Sequence, residues 1–274
     1  MAFKFRRAFV ELTNVCNLSC SFCAVLKRPR GFMPLRFFET LAPQLKGLAG
    51  VISPHLLGEP FMHPELPGVL AAASRAGLKL NLVTNGTLLG KFGPELLREK
   101  CLAQVTLSLH ALEGLPAAER EKTIRALEDF AGSRPAGLIA SFRLRGNASS
   151  LFFKWAAAHL LRAFPRGEGL SARAAVRLAQ GVYLNTGGLF NWRGGRAPGG
   201  KGCLGLRHHF GVLYGGEVVP CCADHDGALA LGSALESPLA DILNGPRAAA
   251  LRNAIAGRPA IPAYCAGCGF FAPG

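Results

Sequence analysis

Short apolar runs alternate with amphipathic stretches along the first two thirds of the chain, which is typical of repeated β-strand and α-helix units. The apolar runs predict strands over residues 9–12, 51–57, 79–84, 104–109, 138–144 and 174–178. The stretches between them predict helices over residues 35–49, 64–76, 94–99, 117–130 and 150–164. Six such units predict an α/β protein whose parallel strands form a partial or complete barrel.

The character of the sequence changes after about residue 182. Glycine-rich pairs and triplets crowd into fourteen residues that offer little to bury, at 187–188, 194–195 and 198–200. Beyond them the pattern predicts a hairpin over residues 211–219 and short helices over 238–243 and 246–256. We therefore expect a barrel domain of residues 1–186 and a small C-terminal domain of residues 187–274.

The composition fits a compact protein, since 50% of the 274 residues are apolar and 18% are charged. No apolar run approaches the roughly 18 residues of a membrane-spanning helix, and the basic start is interrupted too early for a secretion signal. We therefore expect a cytoplasmic protein with no membrane partner. In that reducing compartment nine cysteines favour metal binding over disulfides. The net charge of +14 is by itself weak evidence for nucleic acid.

Three cysteines follow the first predicted strand at the spacing C-x3-C-x2-C, namely Cys16, Cys20 and Cys23. Thiolates suit zinc or iron–sulfur clusters, but a structural zinc site takes four protein ligands. A [4Fe–4S] cluster held by three cysteines keeps one iron open to a small molecule. Zinc with a water ligand and free thiols in a core are the alternatives.

This loop resembles the CxxxCxφC signature of the radical SAM superfamily, with Phe22 at the aromatic position. The resemblance extends to three segments at predicted strand ends, which are Leu-Gly-Glu-Pro at 57–60, Val-Thr-Asn-Gly at 83–86 and Leu-Ser-Leu at 107–109. It implies a partial (β/α)6 TIM-like barrel in which a [4Fe–4S] cluster on the three cysteines binds S-adenosylmethionine. One departure is His110, since many relatives carry Asp there.

The resemblance also implies roles for single residues. Gly58 and Glu59 would meet the methionine amino group of S-adenosylmethionine, and Ser108 would meet the ribose. Thr84 and Asn85 would line the pocket. A low-potential electron donor such as flavodoxin or ferredoxin would reduce the cluster, and a 5′-deoxyadenosyl radical would then abstract hydrogen from the substrate.

A second set of cysteines has the spacing C-x17-C-x43-C-x2-C and consists of Cys203, Cys221, Cys265 and Cys268. It is similar to the twitch and SPASM auxiliary-cluster domains, whose opening glycine is matched by Gly216. The resemblance implies one auxiliary [4Fe–4S] cluster, because a complete SPASM domain has further cysteines for a second. A zinc ribbon is the alternative. Cys222 competes with Cys221 as ligand, although neighbouring residues of an extended backbone point to opposite faces.

An oxidation needs a base, and the candidates in the C-terminal region are His208, His209 and Asp224, followed by His225 and Asp226. For each of them an ordinary structural role is the alternative. The leading hypothesis for function is a radical enzyme, either an oxidoreductase or a peptide-modifying one, that acts on a peptide or small metabolite. The alternatives are a small-alcohol dehydrogenase of the twitch type and a non-catalytic iron–sulfur or zinc protein that binds nucleic acid. Against the last, no helix carries a long basic stripe.

Overall fold

The computed structural model describes residues 5–91, 98–165, 175–190, 192, 203–256, 262–266 and 268. Most of the helix predicted over 94–99 lies outside the described residues. The described chain forms two compact units, one within Met1–Lys79 and Phe190–Gly274 and the other within Leu80–Leu189. No helix of the described residues has the length and apolar character needed to cross a membrane.

The described strands are β1 Phe5–Val10, β2 Ala49–Ser53, β3 Leu80–Thr84, β4 Leu102–Ser108, β5 Ile139–Arg145, β6 Ala175–Ala179, β7 Val182–Gly187, β8 His209–Val212, β9 Glu217–Val219 and β10 Gly232–Ser233. The described helices are α1 Leu35–Leu48, α2 Leu66–Arg75, α3 Ala117–Ser133, α4 Leu151–Ala163, α5 Leu239–Asn244, α6 Pro246–Ile255 and α7 Ala263–Ala266. Most predicted helices therefore match to within three residues. The strand predicted over 51–57 ends at Ser53 because Pro54 has no N–H for the ladder.

In the first unit the strands follow the order β10-β9-β8-β1-β2. β1 pairs in parallel with both β2 and β8, while β9 and β10 add in antiparallel fashion. The hairpin predicted over 211–219 is present, but the sequence did not predict that its first strand extends the sheet beside β1. The buried rings of Phe5 and Phe210 meet edge to face across these two strands, with centroids 4.8 Å apart.

In the second unit the order is β3-β4-β5-β7-β6, and all neighbours are parallel except β6 and β7. The strand predicted over 174–178 is β6, but it is an antiparallel edge and does not continue the parallel series. β7, which the sequence did not predict, takes that place beside β5. The reason is the two-residue turn at Gln180-Gly181, where glycine accommodates a φ of +70°.

Candidate metal centres

The loop that carries Cys16, Cys20 and Cys23 leaves the sheet after β1 and is closed at its base by hydrogen bonds. Thr13 Oγ1 donates to the carbonyl oxygen of Gly31 at 2.8 Å. Asn14 is bonded twice, since its Nδ2 donates to the Pro29 carbonyl and its Oδ1 accepts from the Gly31 N–H, each at 2.8 Å. The three cysteines therefore lie on a loop whose two ends are held together.

Within this loop the thiols influence one another. Burial, followed by Cys23 and Cys16, raises the pKa of Cys20 to about 11. Burial and Cys16 likewise raise the pKa of Cys23. Cys20 and Cys23 therefore resist ionisation beside Cys16, and a cationic centre bound by the three thiols would stabilise the thiolates and displace their protons.

The described residues contain no group of three His, Cys, Asp or Glu side chains arranged to hold a single metal ion. A cubane cluster requires a wider arrangement, because each thiolate binds a different iron atom. All nine cysteines are among the described residues, and none forms a disulfide. Thiols are the ligand type that iron–sulfur clusters take.

The Gly-Glu-Pro segment packs directly on the start of this loop. Gly58 has a φ of +74°, and a Cβ at this position would collide with the Thr13 carbonyl oxygen. The N–H of Glu59 donates to the carbonyl oxygen of Val15 at 2.9 Å. The Glu59 side chain is 1% exposed, and its Oε1 accepts from the N–H of Phe61 at 3.2 Å. Glycine is thus required at 58 for the buried Glu59 to reach the residue next to Cys16.

Three other residues of the predicted binding site lie in the second unit, at the carboxyl ends of parallel strands. Thr84 ends β3, and its Oγ1 accepts from the N–H of Gly86 at 2.9 Å. Asn85 Oδ1 accepts from both the N–H and the Oγ1 of Thr87, at 2.9 and 2.7 Å. Ser108 ends β4 and is half-buried. The carboxyl ends of parallel strands are where such folds place functional groups.

His110 follows β4 and takes part in the same unit. Its Nδ1 lies 3.2 Å from the carbonyl oxygen of Arg143. Burial lowers the pKa of His110 to about 4, and the charges of Arg143 and Arg145 add to this effect. The ring is therefore neutral at physiological pH.

Cys203 and Cys221 of the second set come together around a glycine. A Cβ on Gly205 would lie 3.3 Å from both Cys203 Sγ and Cys221 Cβ, so the absence of a side chain allows this approach. Burial raises the pKa of both thiols. Burial, Cys203 and Cys268 raise the pKa of Cys265 to about 11. Residues far apart in sequence therefore form one electrostatically coupled group of thiols.

Cys222 has a different environment from its neighbour. It packs against a small apolar cluster formed by Phe9, Leu56, Leu213 and Val219. The pKa of Cys221, in contrast, is raised by burial and by the nearby thiols of Cys222 and Cys203. The two adjacent thiols therefore have different neighbours, although Cys221 lies in a bend and Cys222 in a turn after β9, and not in the extended backbone that the sequence argument assumed.

The candidate bases have structural partners. Asp224 is fully buried, and its carboxylate accepts from the N–H groups of Ala228 and Leu229 at 2.8 and 2.9 Å. The His209 ring packs edge-on against Phe9 with centroids 5.4 Å apart, and burial lowers the pKa of His209 to about 4. His208 is half-buried and uses its carbonyl oxygen to accept from Arg6 and Arg7. These contacts favour structural roles for Asp224 and His209.

Sequence reasoning missed a contact between the first cysteine loop and the C-terminal region. Tyr214 Oη donates to the carbonyl oxygen of Pro29 at 2.9 Å, and Asp226 Oδ1 accepts from the N–H of Lys27 at 3.3 Å. No spacing signals partners separated by 185 and 199 residues. The one available hint was the turn Tyr214-Gly215-Gly216 inside the predicted hairpin.

Comparison with known proteins adds two kinds of likeness. A model of the SPASM iron–sulfur cluster-binding domain matches residues 203–269. A PqqA peptide cyclase of Xanthomonas euvesicatoria pv. vesicatoria (strain 85-10) is 27% identical over 296 residues, which covers 94% of this chain and 78% of that protein.

Two solved structures share the fold. SuiB of Streptococcus suis, bound to the precursor peptide SuiA, matches with a TM-score of 0.66 and 16% identity over 98% of this chain and 70% of SuiB. BtrN in complex with AdoMet and 2-DOIA matches with a TM-score of 0.57 and 17% identity over 93% of this chain and 88% of BtrN. The prediction of an α/β fold with a parallel sheet is thereby confirmed.

Proposed function

Since this chain is a radical SAM enzyme that carries a C-terminal SPASM domain, we propose that it modifies a peptide substrate by hydrogen abstraction. The observation that carries the proposal is the closed three-cysteine loop on which the buried Gly58-Glu59 segment packs. A loop that offers three thiols leaves one iron of a cubane for another ligand.

Cys16, Cys20 and Cys23 would hold the first [4Fe–4S] cluster. When bound and reduced by a low-potential donor such as flavodoxin or ferredoxin, this centre with S-adenosylmethionine supplies a 5′-deoxyadenosyl radical that abstracts hydrogen from a C–H bond. The protein keeps the thiols on a loop closed by Thr13, Asn14 and Gly31, which limits their movement.

Gly58 and Glu59 would receive the methionine amino group of S-adenosylmethionine. The support is their position, since the Glu59 N–H is bonded to Val15, the residue before Cys16. A buried carboxylate is an effective partner for an ammonium group, because little water screens the pair. We assign Ser108 to the ribose and Thr84 and Asn85 to the pocket wall, as the resemblance implies.

For the C-terminal region we propose one auxiliary [4Fe–4S] cluster on Cys203, Cys221, Cys265 and Cys268. The mutual effects on the pKa values of these thiols support a common site. The packing of Cys222 against Phe9 and Leu56 supports Cys221 as the ligand. The auxiliary cluster would accept an electron from the substrate or shape its pocket.

A peptide is the favoured substrate because the chain is similar in sequence to a PqqA peptide cyclase and shares its fold with SuiB, which was solved bound to the precursor peptide SuiA. The net charge of +14 would attract an acidic peptide by long-range electrostatics. A small molecule is the second candidate. This candidate is supported by the fold shared with BtrN, which was solved in complex with AdoMet and 2-DOIA. The match covers 88% of BtrN.

The test is anaerobic reconstitution with iron and sulfide, reduction with dithionite and addition of S-adenosylmethionine. Release of 5′-deoxyadenosine is expected from the wild type and not from Cys16→Ala, whereas Cys101→Ala, a change at a buried thiol outside both sets, should retain it. Equal release from the Cys16→Ala and wild-type proteins would contradict the assignment of the first cluster.

A second experiment separates the two substrate classes. Deuterated candidate peptides and deuterated cyclic alcohols are supplied in turn, and 5′-deoxyadenosine is analysed by mass spectrometry. Deuterium from a peptide supports peptide modification, and deuterium from an alcohol alone supports the small-molecule alternative.

A further inference from the structure

The second half of the first cysteine loop is fastened by one arginine. Arg28 Nη2 donates to both Oε1 and Oε2 of Glu11, each at 2.8 Å. Arg28 Nε donates to the carbonyl oxygen of His225 at 2.7 Å. One planar guanidinium thus joins the end of β1, the cysteine loop and the C-terminal region.

Tyr214 completes this contact from the turn between β8 and β9. Its N–H donates to Glu11 Oε2 at 3.2 Å, and its hydroxyl donates to the Pro29 carbonyl at 2.9 Å. The Arg28 guanidinium carbon lies 5.4 Å from the centroid of the tyrosine ring. We call Glu11, Arg28 and Tyr214 the clamp.

Two residues of the clamp flank the three cysteines in the sequence. Glu11 is five residues before Cys16, and Arg28 is five residues after Cys23. The loop approaches the tyrosine so closely that a Cβ on Gly31 would lie 2.5 Å from Tyr214 Cε2. Glycine at 31 therefore allows the loop to pack on the Tyr214 ring. Residues on both sides of the three cysteines, Glu11 and Arg28, thus contact the C-terminal region.

Stability alone is a weak explanation for such a pair. The Glu11 side chain is fully buried and that of Arg28 is 13% exposed. Burial raises the pKa of Glu11 despite the charge and hydrogen bonds of Arg28. The desolvation free energy of the two charges is about as large as the free energy of their attraction. A buried ion pair therefore often fixes one conformation without adding much net stability.

We propose that Arg28 is a positioning residue for the reaction at the first cluster, and that the clamp couples the geometry of the Cys16–Cys23 loop to the C-terminal SPASM region. The inference rests on the proposed function, because it concerns the cluster that this loop would hold. A shift of the loop by about an ångström can cost on the order of 100-fold in rate by misplacing the reacting groups.

The test compares Arg28→Lys with Arg30→Lys in the reconstituted enzyme. Lysine keeps the charge but cannot make the bidentate bond to Glu11 and the bond to His225 at once. Arg30 is an exposed arginine two residues further along the same loop. The readouts are the electron paramagnetic resonance spectrum of the reduced cluster with S-adenosylmethionine, and the rate of 5′-deoxyadenosine release per bound first cluster.

For Arg28→Lys we expect an altered spectrum with S-adenosylmethionine, a release rate lower by about tenfold to 100-fold and full occupancy of the auxiliary cluster. Arg30→Lys should match the wild type in each measurement. A merely structural role would reduce the yield of folded protein but leave the spectrum and the rate per bound cluster unchanged, and this result would overturn the proposal.

Tyr214→Phe provides a second test if the Arg28→Lys protein does not fold. This substitution removes only the hydroxyl group that is bonded to the Pro29 carbonyl. We expect a release rate lower by about twofold to fivefold, which corresponds to one hydrogen bond. A wild-type spectrum and rate for Tyr214→Phe would count against the clamp. Failure of the proposed function is distinguishable, because the wild-type enzyme itself would then release no 5′-deoxyadenosine.

Discussion

The two cysteine sets are built in opposite ways. Cys16, Cys20 and Cys23 lie within eight residues on one loop, and their arrangement depends on the local closure of that loop by Thr13, Asn14 and Gly31. The second set, from Cys203 to Cys268, spans 66 residues and is gathered by the hairpin of β8 and β9 together with the region around α7.

The two sets therefore differ in which substitutions would disturb their geometry. A local loop loses its geometry when its anchor points are changed, such as Gly58 or the clamp. A dispersed set loses its geometry when any one of its distant segments moves, because its loops cost more conformational entropy to close. Binding of a cluster is therefore expected to add more to the folding of the second set than of the first.

Removal of a ligand from the first set has the largest expected effect. Cys16→Ala should reduce 5′-deoxyadenosine release to background because its cluster loses one of three ligands. Iron analysis should still find about four iron atoms per chain, those of the auxiliary cluster. Complete loss of iron from Cys16→Ala would show that the two sets do not assemble independently.

A matched pair of variants tests the second set. Cys221→Ala should lose the auxiliary cluster, as measured by iron and sulfide content in the Cys16/Cys20/Cys23 triple Ala background. Cys222→Ala should retain it and lose only packing against Phe9 and Leu56, at a cost of about 1 kcal/mol in unfolding free energy. The reverse outcome would make Cys222 the ligand.

A change at Gly58 tests the first loop without touching a thiol. Gly58→Ala introduces a strained φ of +74° and a collision with the Thr13 carbonyl, at a cost of about 1–3 kcal/mol from the backbone strain alone. We expect weaker binding of S-adenosylmethionine at the first cluster and an unchanged auxiliary cluster. The control is Gly47→Ala in helix α1, where a Cβ meets nothing within 4 Å. Equal binding by the two variants would refute the packing role of Gly58.

The weakest effect is expected in the second unit, which carries none of the cysteines of the two sets. Burial raises the pKa of Glu128 on helix α3 to about 7 from its usual 4.5. The charges of Asp129 and Glu121 also raise this pKa, while those of Arg162 and Arg125 lower it. A raised carboxyl pKa favours the protonated form in the folded state, so stability is lost as the pH rises from 4.5 through 7.

Glu128→Gln should therefore raise the Tm at pH 8 by a few degrees and leave it unchanged near pH 4. The control is Glu121→Gln on the same helix. Glu121→Gln removes both the favourable contact with Arg125 and the repulsion of Glu128, and these effects oppose each other, so this change should alter the Tm at pH 8 less than Glu128→Gln does. Calorimetry of both variants at the two pH values provides the measurement, and neither should alter the iron content. An iron loss in either would mean that stability and cluster occupancy are linked.

Much of the fold was predictable because hydrophobic periodicity is a local property. Helix α1 was predicted over 35–49 and spans Leu35–Leu48, with an apolar stripe from Phe37 to Leu48 buried on one side. The strand predicted over 79–84 is β3 at Leu80–Thr84. The candidate ligands of the first set were also predictable, since three thiols and their spacing lie within one short segment.

The positions of β6, β7 and β8 were not predictable in the same way. An apolar run shows that a strand exists but not which neighbour it pairs with, or in which direction. The turn at Gly181 reverses β6 against β7, and the parallel pairing of β8 with β1 joins residues about 200 positions apart.

The α/β alternation and the three thiols of the first loop could be predicted from the amino-acid sequence, because each depends on residues close in the chain. Contacts between distant segments decide that Glu11, Arg28 and Tyr214 meet, that Gly58 packs on Thr13, that Cys221 approaches Cys203 and that Asp224 is buried. These contacts depend on how distant segments pack, and the free energy of that packing cannot be deduced from a local sequence pattern.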